Sequence, residues 1–365
     1  EQLRGDAADA AKAWDGETLA IGSANPMAEL FVDALFGAGL SRPLEGEAAR
    51  LARTLARAPH RVVAVDVPSG LDGDSAKPLG DACFRAGLTV TFVRKKAAHV
   101  LFPGRGLCGE IVVADIGASD GLVAEQNCST WENHPWLWQG QFPWPEAEAH
   151  KHARGHVMVA SGPFARTGAA RLAARGALRA GAGLVSVLSP REAMAEHAAQ
   201  LNAIMLREAE GAGAFADAAE NAQCLLIGPA FGTSPDRRAM LDAGLRVRNR
   251  CAMVLDADAI TLLAPVAQEV LKASDLLTPH VGEFKRAFPN LLEQSASRID
   301  AARAAAAHAG AIVLLKGPDT VIADGKGRVI VNTTGTPFLA TAGAGDVLAG
   351  IIAGSIEARE GVTTG

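Results

Sequence analysis

No stretch of the sequence reaches the roughly 18 uninterrupted apolar residues of a membrane span, which excludes a helical membrane anchor within it. The opening residues, EQLRGDAADAAKAWDG, have no apolar core and so do not read as a signal peptide. Basic residues are in slight deficit, 35 Lys and Arg against 40 Asp and Glu for a net charge of -5. A nucleic-acid or anionic-membrane binder normally carries a clustered basic excess, so both are excluded as partners. Cysteine is scarce: Cys83, Cys108, Cys128, Cys224 and Cys251 are odd in number and widely scattered. That pattern suits reduced thiols in a cytoplasmic protein better than a disulfide frame or a zinc site. Repeats of solenoid period and heptad runs are missing too. Tyrosine is absent, whereas glycine, at 39 residues, is abundant. With 49% hydrophobic and 21% charged residues the chain is not disordered. At 365 residues it has the length of about two domains.

Short apolar strands alternate with alanine-rich helical stretches, the pattern of an α/β protein. In the first half, residues 43–58 (PLEGEAARLARTLARA) predict a helix. RVVAVDV (61–67) predicts a buried strand, and LTVTFV (88–93) and EIVVADIG (110–117) predict further strands of a parallel sheet covered by helices. The same grammar restarts at GHVMVASG (155–162) and continues in LVSVLS (184–189), CLLIG (224–228), AMVLDAD (252–258), LLTPH (276–280) and AIVLLKG (311–317). Helices are predicted over 168–183 and 190–206. Between the halves, residues 121–148 hold Trp131, Trp136, Trp138 and Trp144 without a clear period and read as a linker with apolar anchors. His150, His152 and His156 have no Cys or carboxylate at ligand spacing and read as a solvated lead into a strand.

Chemistry concentrates near the C-terminus. Residues 329–356 run from an apolar strand through small residues into Ala342-Gly343-Ala344-Gly345-Asp346 and then an apolar helix. Small residues at a helix N-terminus leave backbone N–H groups free to surround an anion, and the helix dipole adds to the attraction. An aspartate there is unwelcome beside a resting phosphate, but it suits a base that deprotonates a hydroxyl while the amides stabilise a phosphoryl group in transit. A first-turn aspartate that merely serves the helix dipole is the competing explanation. The turn is not a Walker A loop, lacking Gly-Lys-Ser/Thr, and not a dinucleotide fingerprint, which needs glycine where Leu348 stands.

LLKGPDTVIAD (314–324) reads as strand, tight turn, strand, and places Lys316, Gly317, Pro318, Asp319 and Thr320 where they could hold a phosphate or ribose. LLTPHVGEF (276–284), IGPAFG (227–232) and VLDADAI (254–260) end other apolar strands in small or polar residues. Ligands of open α/β sheets bind at such carboxyl ends, so these segments converge on one crevice.

These stretches carry a resemblance. KHARGHVMVASG, GAARLAARGALRAGAGLV, IGPAFG, LTPHVGEF, LLKGPDT and NTTGTPFLATAGAGD resemble the ADP/ATP-dependent NAD(P)H-hydrate dehydratases of the ribokinase-like superfamily. VDALFGAGLSRPL, VDVPSGLDGDS and TFVRKKAAHVLFPGRG resemble their usual fusion partner, the NAD(P)H-hydrate epimerase. The resemblance, to the bifunctional NAD(P)H-hydrate repair enzymes, implies two three-layer αβα domains. The N-terminal one, residues 1–120, would be Rossmann-like, and the C-terminal one, 149–365, ribokinase-like. It places an asparagine- and glycine-rich loop upstream of residue 1 and further helices beyond Gly365. Both domains are therefore expected to be truncated, and epimerase activity to suffer.

The resemblance also implies roles. The dehydratase half would use ADP or ATP, with Mg2+, to phosphorylate the ring hydroxyl of the S form of NADH or NADPH hydrate; loss of phosphate then restores the cofactor. Asp346 would be the base and touch the hydrate, with Ala169, Gly228 and His280 lining its pocket. Lys316 to Thr320 and Gly343, Ala344 and Gly345 would bind the adenine nucleotide, with Glu283 and Asp256 as polar support, through magnesium or as caps. In the epimerase half, Asp33 and Ser69 would ligate K+, Asp66 would contact the substrate, and Gly37, Ala38, Gly39, Leu40, Ser41, Arg42 and Pro43 would form a binding loop. A homo-oligomer is the family's habit. Departures from the pattern are Ala230, Ala342, Ala344 and Thr336, none of which removes the aspartate. Two other functions fit parts of the sequence: a ribokinase-like small-molecule kinase, disfavoured by the N-terminal half, and an epimerase-like binding scaffold, disfavoured by the Asp346 turn.

Overall fold

The computed structural model describes residues 5–25, 27–142, 144–247, 251–268 and 270–360. Residues 1–4 and 361–365, at the ends of the two expected domains, and Pro143 of the expected linker lie outside the described residues. Two compact units divide between Ser119 and Asp120.

The first unit runs α1 (Asp6–Ala13), β1 (Phe31–Asp33), α2 (Gly46–Leu55), β2 (Val62–Val65), β3 (Leu88–Phe92), α3 (Ala97–Val100), α4 (Arg105–Cys108) and β4 (Glu110–Ala114). Its strands pair in chain order, all parallel. Leu51, Ala52 and Leu55 make one apolar stripe of α2 and pack into a core with Val62, Ala64 and Phe84. Burying each such Val, Leu or Phe side chain stabilises the unit by about 1.5–3 kcal/mol.

The second unit begins with α5 (Asp120–Glu125) and β5 (Thr130–Glu132). It continues through β6 (His156–Ala160), α6 (Gly168–Ala180), β7 (Leu184–Ser189), α7 (Met194–Ala198), β8 (Met205–Glu208), α8 (Gly211–Ala219), β9 (Cys224–Ile227), α9 (Pro235–Val247) and β10 (Ala252–Leu255). Then follow α10 (Ala257–Leu263), β11 (Leu276–Leu277), α11 (Val281–Ala287), α12 (Leu291–Gln294), α13 (Arg298–Ala309), β12 (Ile312–Leu315), β13 (Thr320–Ala323), β14 (Val329–Asn332) and α14 (Ala344–Glu360). The sheet order is β5-β14-β13-β12-β11-β10-β9-β6-β7-β8. From β12 to β8 all neighbours are parallel, whereas β13 is antiparallel to both of its neighbours. The order reverses between β6 and β9. Such a reversal in an open parallel sheet is where a crevice for a ligand opens, at the strands' carboxyl ends.

What aims α14 into this crevice is close helix packing. A Cβ on Gly350 would overlap the Ala173 carbonyl oxygen, and one on Gly354 the Ala177 carbonyl oxygen, so α14 lies directly on the small-residue face of α6. Ala173, Ala174, Ala177, Ala349 and Ala353 complete that contact over Val157, Leu226 and Val254.

Two sequence expectations are corrected. The helix predicted over 190–206 ends at Ala198, and Met205–Glu208 pair with β7 as an edge strand. Backbone pairing along an open edge outweighs the helix preference of Met and Leu. The stretch 121–148, read as a linker, contributes most of α5 and all of β5, and β5 pairs with β14 of the second unit. A three-residue strand is too short to show a period. No two of the five cysteines are bridged, and among the described residues no helix is long and apolar enough to cross a membrane.

Candidate active site

At the carboxyl end of β10, Asp256 is buried, and its side chain does not cap α10 although it precedes that helix. Its Oδ1 instead accepts from Lys316 Nζ at 2.7 Å and from Thr278 Oγ1 at 2.7 Å. Lys316 is the residue after β12, and its N–H donates to the Pro279 carbonyl at 2.8 Å. That bond brings His280 and Lys316 side by side as an isolated bridge. A Cβ on Gly345 would stand 3.6 Å from Lys316 Nζ, so the ammonium lies at the mouth of α14. Asp346 occupies the first turn of that helix. Burial, then the Asp256 charge, pushes its carboxyl above the usual carboxylate range, with Lys316 opposing. A half-buried carboxylate with a raised proton affinity, beside a fixed cation and open helix amides, is equipped to take a proton from a hydroxyl.

Gly228 ends β9 with φ 137°, and a Cβ there would overlap the Asp256 carbonyl oxygen, so only glycine lets the two strand ends approach. Ala169 lies in the first turn of α6, one turn before Leu172, whose Cδ1 would be 2.7 Å from a Cβ on Gly343. Gly228, Asp256, Lys316 and the Gly343–Asp346 turn thus lie together at the strands' carboxyl ends, with Leu172, one turn beyond Ala169, packed at the turn. His280 caps α11: its Nδ1 accepts from the N–H groups of Gly282 (2.9 Å) and Glu283 (3.3 Å), which leaves the proton on Nε2. Glu283 Oε2 in turn accepts from the His280 N–H at 2.9 Å. Of the two acids weighed as polar support or caps, Glu283 is a cap and Asp256 is not.

The Lys316–Thr320 segment forms the turn between β12 and β13. Thr320 Oγ1 donates to the Gly317 carbonyl at 2.9 Å. Asp319 is buried and paired with Arg298 at 3.5 Å, so its carboxylate turns away from the crevice. Pro318 and Gly317 stay on the exposed side of the turn.

In the first unit Asp33 ends β1 and is buried. Its Oδ1 accepts from Ser69 Oγ at 2.6 Å and its Oδ2 from the Ser69 N–H at 2.7 Å. The Phe36 carbonyl oxygen is 3.2 Å from Ser69 Oγ, which completes a set of three hard oxygen donors. Burial pushes Asp33 above the usual carboxylate range despite these bonds. Gly37 to Pro43 form the loop after β1. The Ala38 N–H donates to Asp66 Oδ2 at 3.1 Å, and Leu35, Phe36, Gly37, Gly39, Leu40, Ser41 and Arg42 border a cavity. A second cavity, of about 520 Å³, is lined by Asp66 and residues 92–96.

Residues 157–361 match the family model described as NAD(P)H-hydrate dehydratase, and residues 3–98 the YjeF-related protein N-terminus. The bifunctional NAD(P)H-hydrate repair enzyme of Coxiella burnetii is 33% identical over 366 residues, which span 98% of this chain and 73% of that protein. The chain belongs to the bifunctional NAD(P)H-hydrate repair enzyme family. Its relative in Moorella thermoacetica is 39% identical over 345 residues, and the chain spans 64% of that protein's length. Among solved structures, the ADP/ATP-dependent NAD(P)H-hydrate dehydratase of Bacillus subtilis, co-crystallized with ATP/Mg2+, has a TM-score of 0.54 at 28% identity. That likeness covers 63% of this chain and 82% of that one. A ribokinase-like superfamily protein of Enterococcus faecalis has a TM-score of 0.57 at 26% identity, over 64% and 84% of the two chains.

Several residues of these two sites are not marked by the sequence. Thr278 was named as the end of a strand, not as the partner of Asp256. Lys96, Thr91 and His99, which surround Asp66, received no role at all. Their signal was the run RKKAAH just after an apolar strand, at the same strand ends as Asp66.

Proposed function

We propose that the second unit dehydrates NADH hydrate and NADPH hydrate with ADP or ATP, and that the first unit interconverts the R and S forms of the same hydrates. The observation that carries the dehydratase reading is the Asp256–Lys316 pair at the mouth of α14 beside Asp346. Asp346 takes the proton of the ring hydroxyl as its oxygen attacks the terminal phosphorus of ADP or ATP, breaking the bond to the bridging oxygen so that AMP or ADP leaves. The Lys316 ammonium and the first amides of α14 offset the charge of the phosphoryl group in transit. Phosphate then leaves from carbon, pushed by the ring nitrogen, and loss of a proton from the neighbouring carbon restores the reduced cofactor. His280, Gly228 and Ala169 border the hydrate, and the Gly317–Pro318 turn and Gly343–Gly345 border the nucleotide.

Magnesium bound with the nucleotide would neutralise phosphate charge. Asp256 is the carboxylate available to hold it, since Glu283 is committed to its cap. Potassium fits the three hard oxygens of Asp33, Ser69 and Phe36, which lie together. The unbridged cysteines accord with a cytoplasmic setting, and family habit with a homo-oligomer.

The test is incubation with NADH hydrate and either nucleotide, following the return of reduced-nicotinamide absorbance. Return with ADP or ATP supports dehydration. No return with either, while another alcohol is phosphorylated, would make the protein a small-molecule kinase.

A further inference from the structure

Asp66 follows β2 in a conformation that an aspartate rarely adopts. Its φ is 71°, and the Val67 N–H reaches back to the Val65 carbonyl at 3.0 Å, closing a three-residue turn around it. Such turns are strained for a residue with a side chain and persist only where the surroundings over-determine them. Besides Thr91 and the Ala38 N–H, the surroundings include one short segment, Lys96–His99, at the start of α3, that grips Asp66 at two points.

Lys96 Nζ donates to Asp66 Oδ1 at 2.6 Å, to Thr91 Oγ1 at 2.8 Å and to the Phe92 carbonyl at 3.3 Å. Thr91 Oγ1 donates in turn to Asp66 Oδ1 at 3.0 Å. All three ammonium protons are therefore spent on protein acceptors, so Lys96 orients Asp66 and is not itself placed to protonate a substrate. His99 grips the other end of the same residue. Its Nδ1 accepts from the Lys96 N–H at 2.9 Å, which puts the ring proton on Nε2, and Nε2 donates to the Asp66 carbonyl at 2.9 Å. Burial, first, and the Lys96 charge hold His99 below the usual imidazole range, so the ring keeps this neutral, donating form. Burial alone would push Asp66 up, but Lys96, the Ala38 N–H and Thr91 outweigh it and hold the carboxylate ionised. Asp66 and Lys96 both line the 520 Å³ cavity.

We propose that Lys96 and His99 are the positioning residues of the epimerase site, a two-point clamp that holds strained Asp66 with its carboxylate turned into the substrate cavity. The proposal rests on the epimerase reading of the first unit. Lys96 fixes the carboxylate and His99 the backbone.

The experiment measures conversion of the R form of NADH hydrate to the S form by the whole chain across a pH series. It compares wild type with Lys96→Met, Lys96→Arg and His99→Ala, with thermal unfolding as the folding control. Lys96→Met is expected to lose about 10²-fold or more in kcat, with KM changed less than about threefold. The acid limb of its pH–rate profile should move to higher pH, because the carboxylate loses its cation while staying buried. Lys96→Arg keeps the charge and should recover the wild-type limb. Lys96→Met with a wild-type rate and limb would overturn the clamp, as would Lys96→Arg behaving like Lys96→Met. A wild-type chain that does not exceed the spontaneous rate sinks the epimerase reading itself. In that case the Asp66 carboxyl carbon is titrated by NMR in wild type and Lys96→Met. An upward shift upholds the clamp as a device of the fold, and an unchanged titration overturns it.

Discussion

Lys316 Nζ and Asp256 Oδ1 are 2.7 Å apart, and Thr278 Oγ1 donates to the same oxygen. The first unit holds a like trio in Lys96, Asp66 and Thr91. In each, a strand-end aspartate is tied to a lysine from a later element, and a threonine hydroxyl completes the aspartate's bonds. The outcomes differ in one respect. Asp66 receives the cation itself, whereas Asp346 lies beyond the pair and feels Asp256 as a repelling charge.

Replacing Asp256 with Asn releases Lys316 and removes that repulsion. The dehydratase rate is expected to fall by about 10²-fold, the usual cost of losing one preorganised charge contact. The acid limb of the pH–rate profile should move to lower pH, since Asp346 loses the neighbouring charge that raises it while Lys316 still lowers it. Steady-state kinetics from acid to neutral pH check both.

Asp346→Asn should lose about 10²–10⁴-fold in dehydration rate if Asp346 is the base. Nucleotide affinity, measured by calorimetry, should change little, because the helix amides and the Gly317–Pro318 turn remain.

The same substitution should stabilise the fold at neutral pH. The Asp346 carboxyl is raised in the folded state, so the fold loses stability as pH climbs from the ordinary carboxylate value through the raised one. Asparagine has no charge to desolvate. Asp346→Asn is expected to unfold at a higher temperature than wild type at neutral pH, and the gap should close below the ordinary carboxylate value. Thermal melts at two pH values decide it.

Gly350→Ala drives a methyl group into the Ala173 carbonyl and pushes α14 off α6. Overpacking of this kind costs about 1–3 kcal/mol, and it displaces Asp346 as well, so both Tm and dehydratase rate should fall. Gly168→Ala is the control: a Cβ there meets nothing within 4 Å.

Potassium chloride should raise the unfolding temperature of the first unit relative to choline chloride at equal ionic strength, because a ligand that binds only the folded state stabilises it. Asp33→Asn should abolish the difference.

Much of this was legible in the sequence. Strands β2, β3, β4, β6, β7 and β9 to β14 stand where short apolar runs predicted them, since strands of a helix-covered parallel sheet need near-continuous apolar character. The anion-friendly turn before α14 was readable because its requirements are local: small residues, then a helix, then an aspartate. The C-terminal half of the predicted helix 190–206 and the short strand at 130–132 were not readable. Each is decided by a neighbouring strand that is distant in sequence.

Residue types, strand positions and the Asp346 turn were determined by the sequence alone, because periodicity and helix-end chemistry act within a few residues. Which aspartate is a partner and which a cap was decided by tertiary structure. Asp256 finds Lys316 sixty residues away, and Asp66 finds Lys96 thirty residues away. Asp319, in the middle of a promising loop, is instead drawn inward to Arg298. A carboxylate's role depends on the cations and dipoles within a few ångströms of it, and the sheet order that brings those groups together is a property of the folded chain.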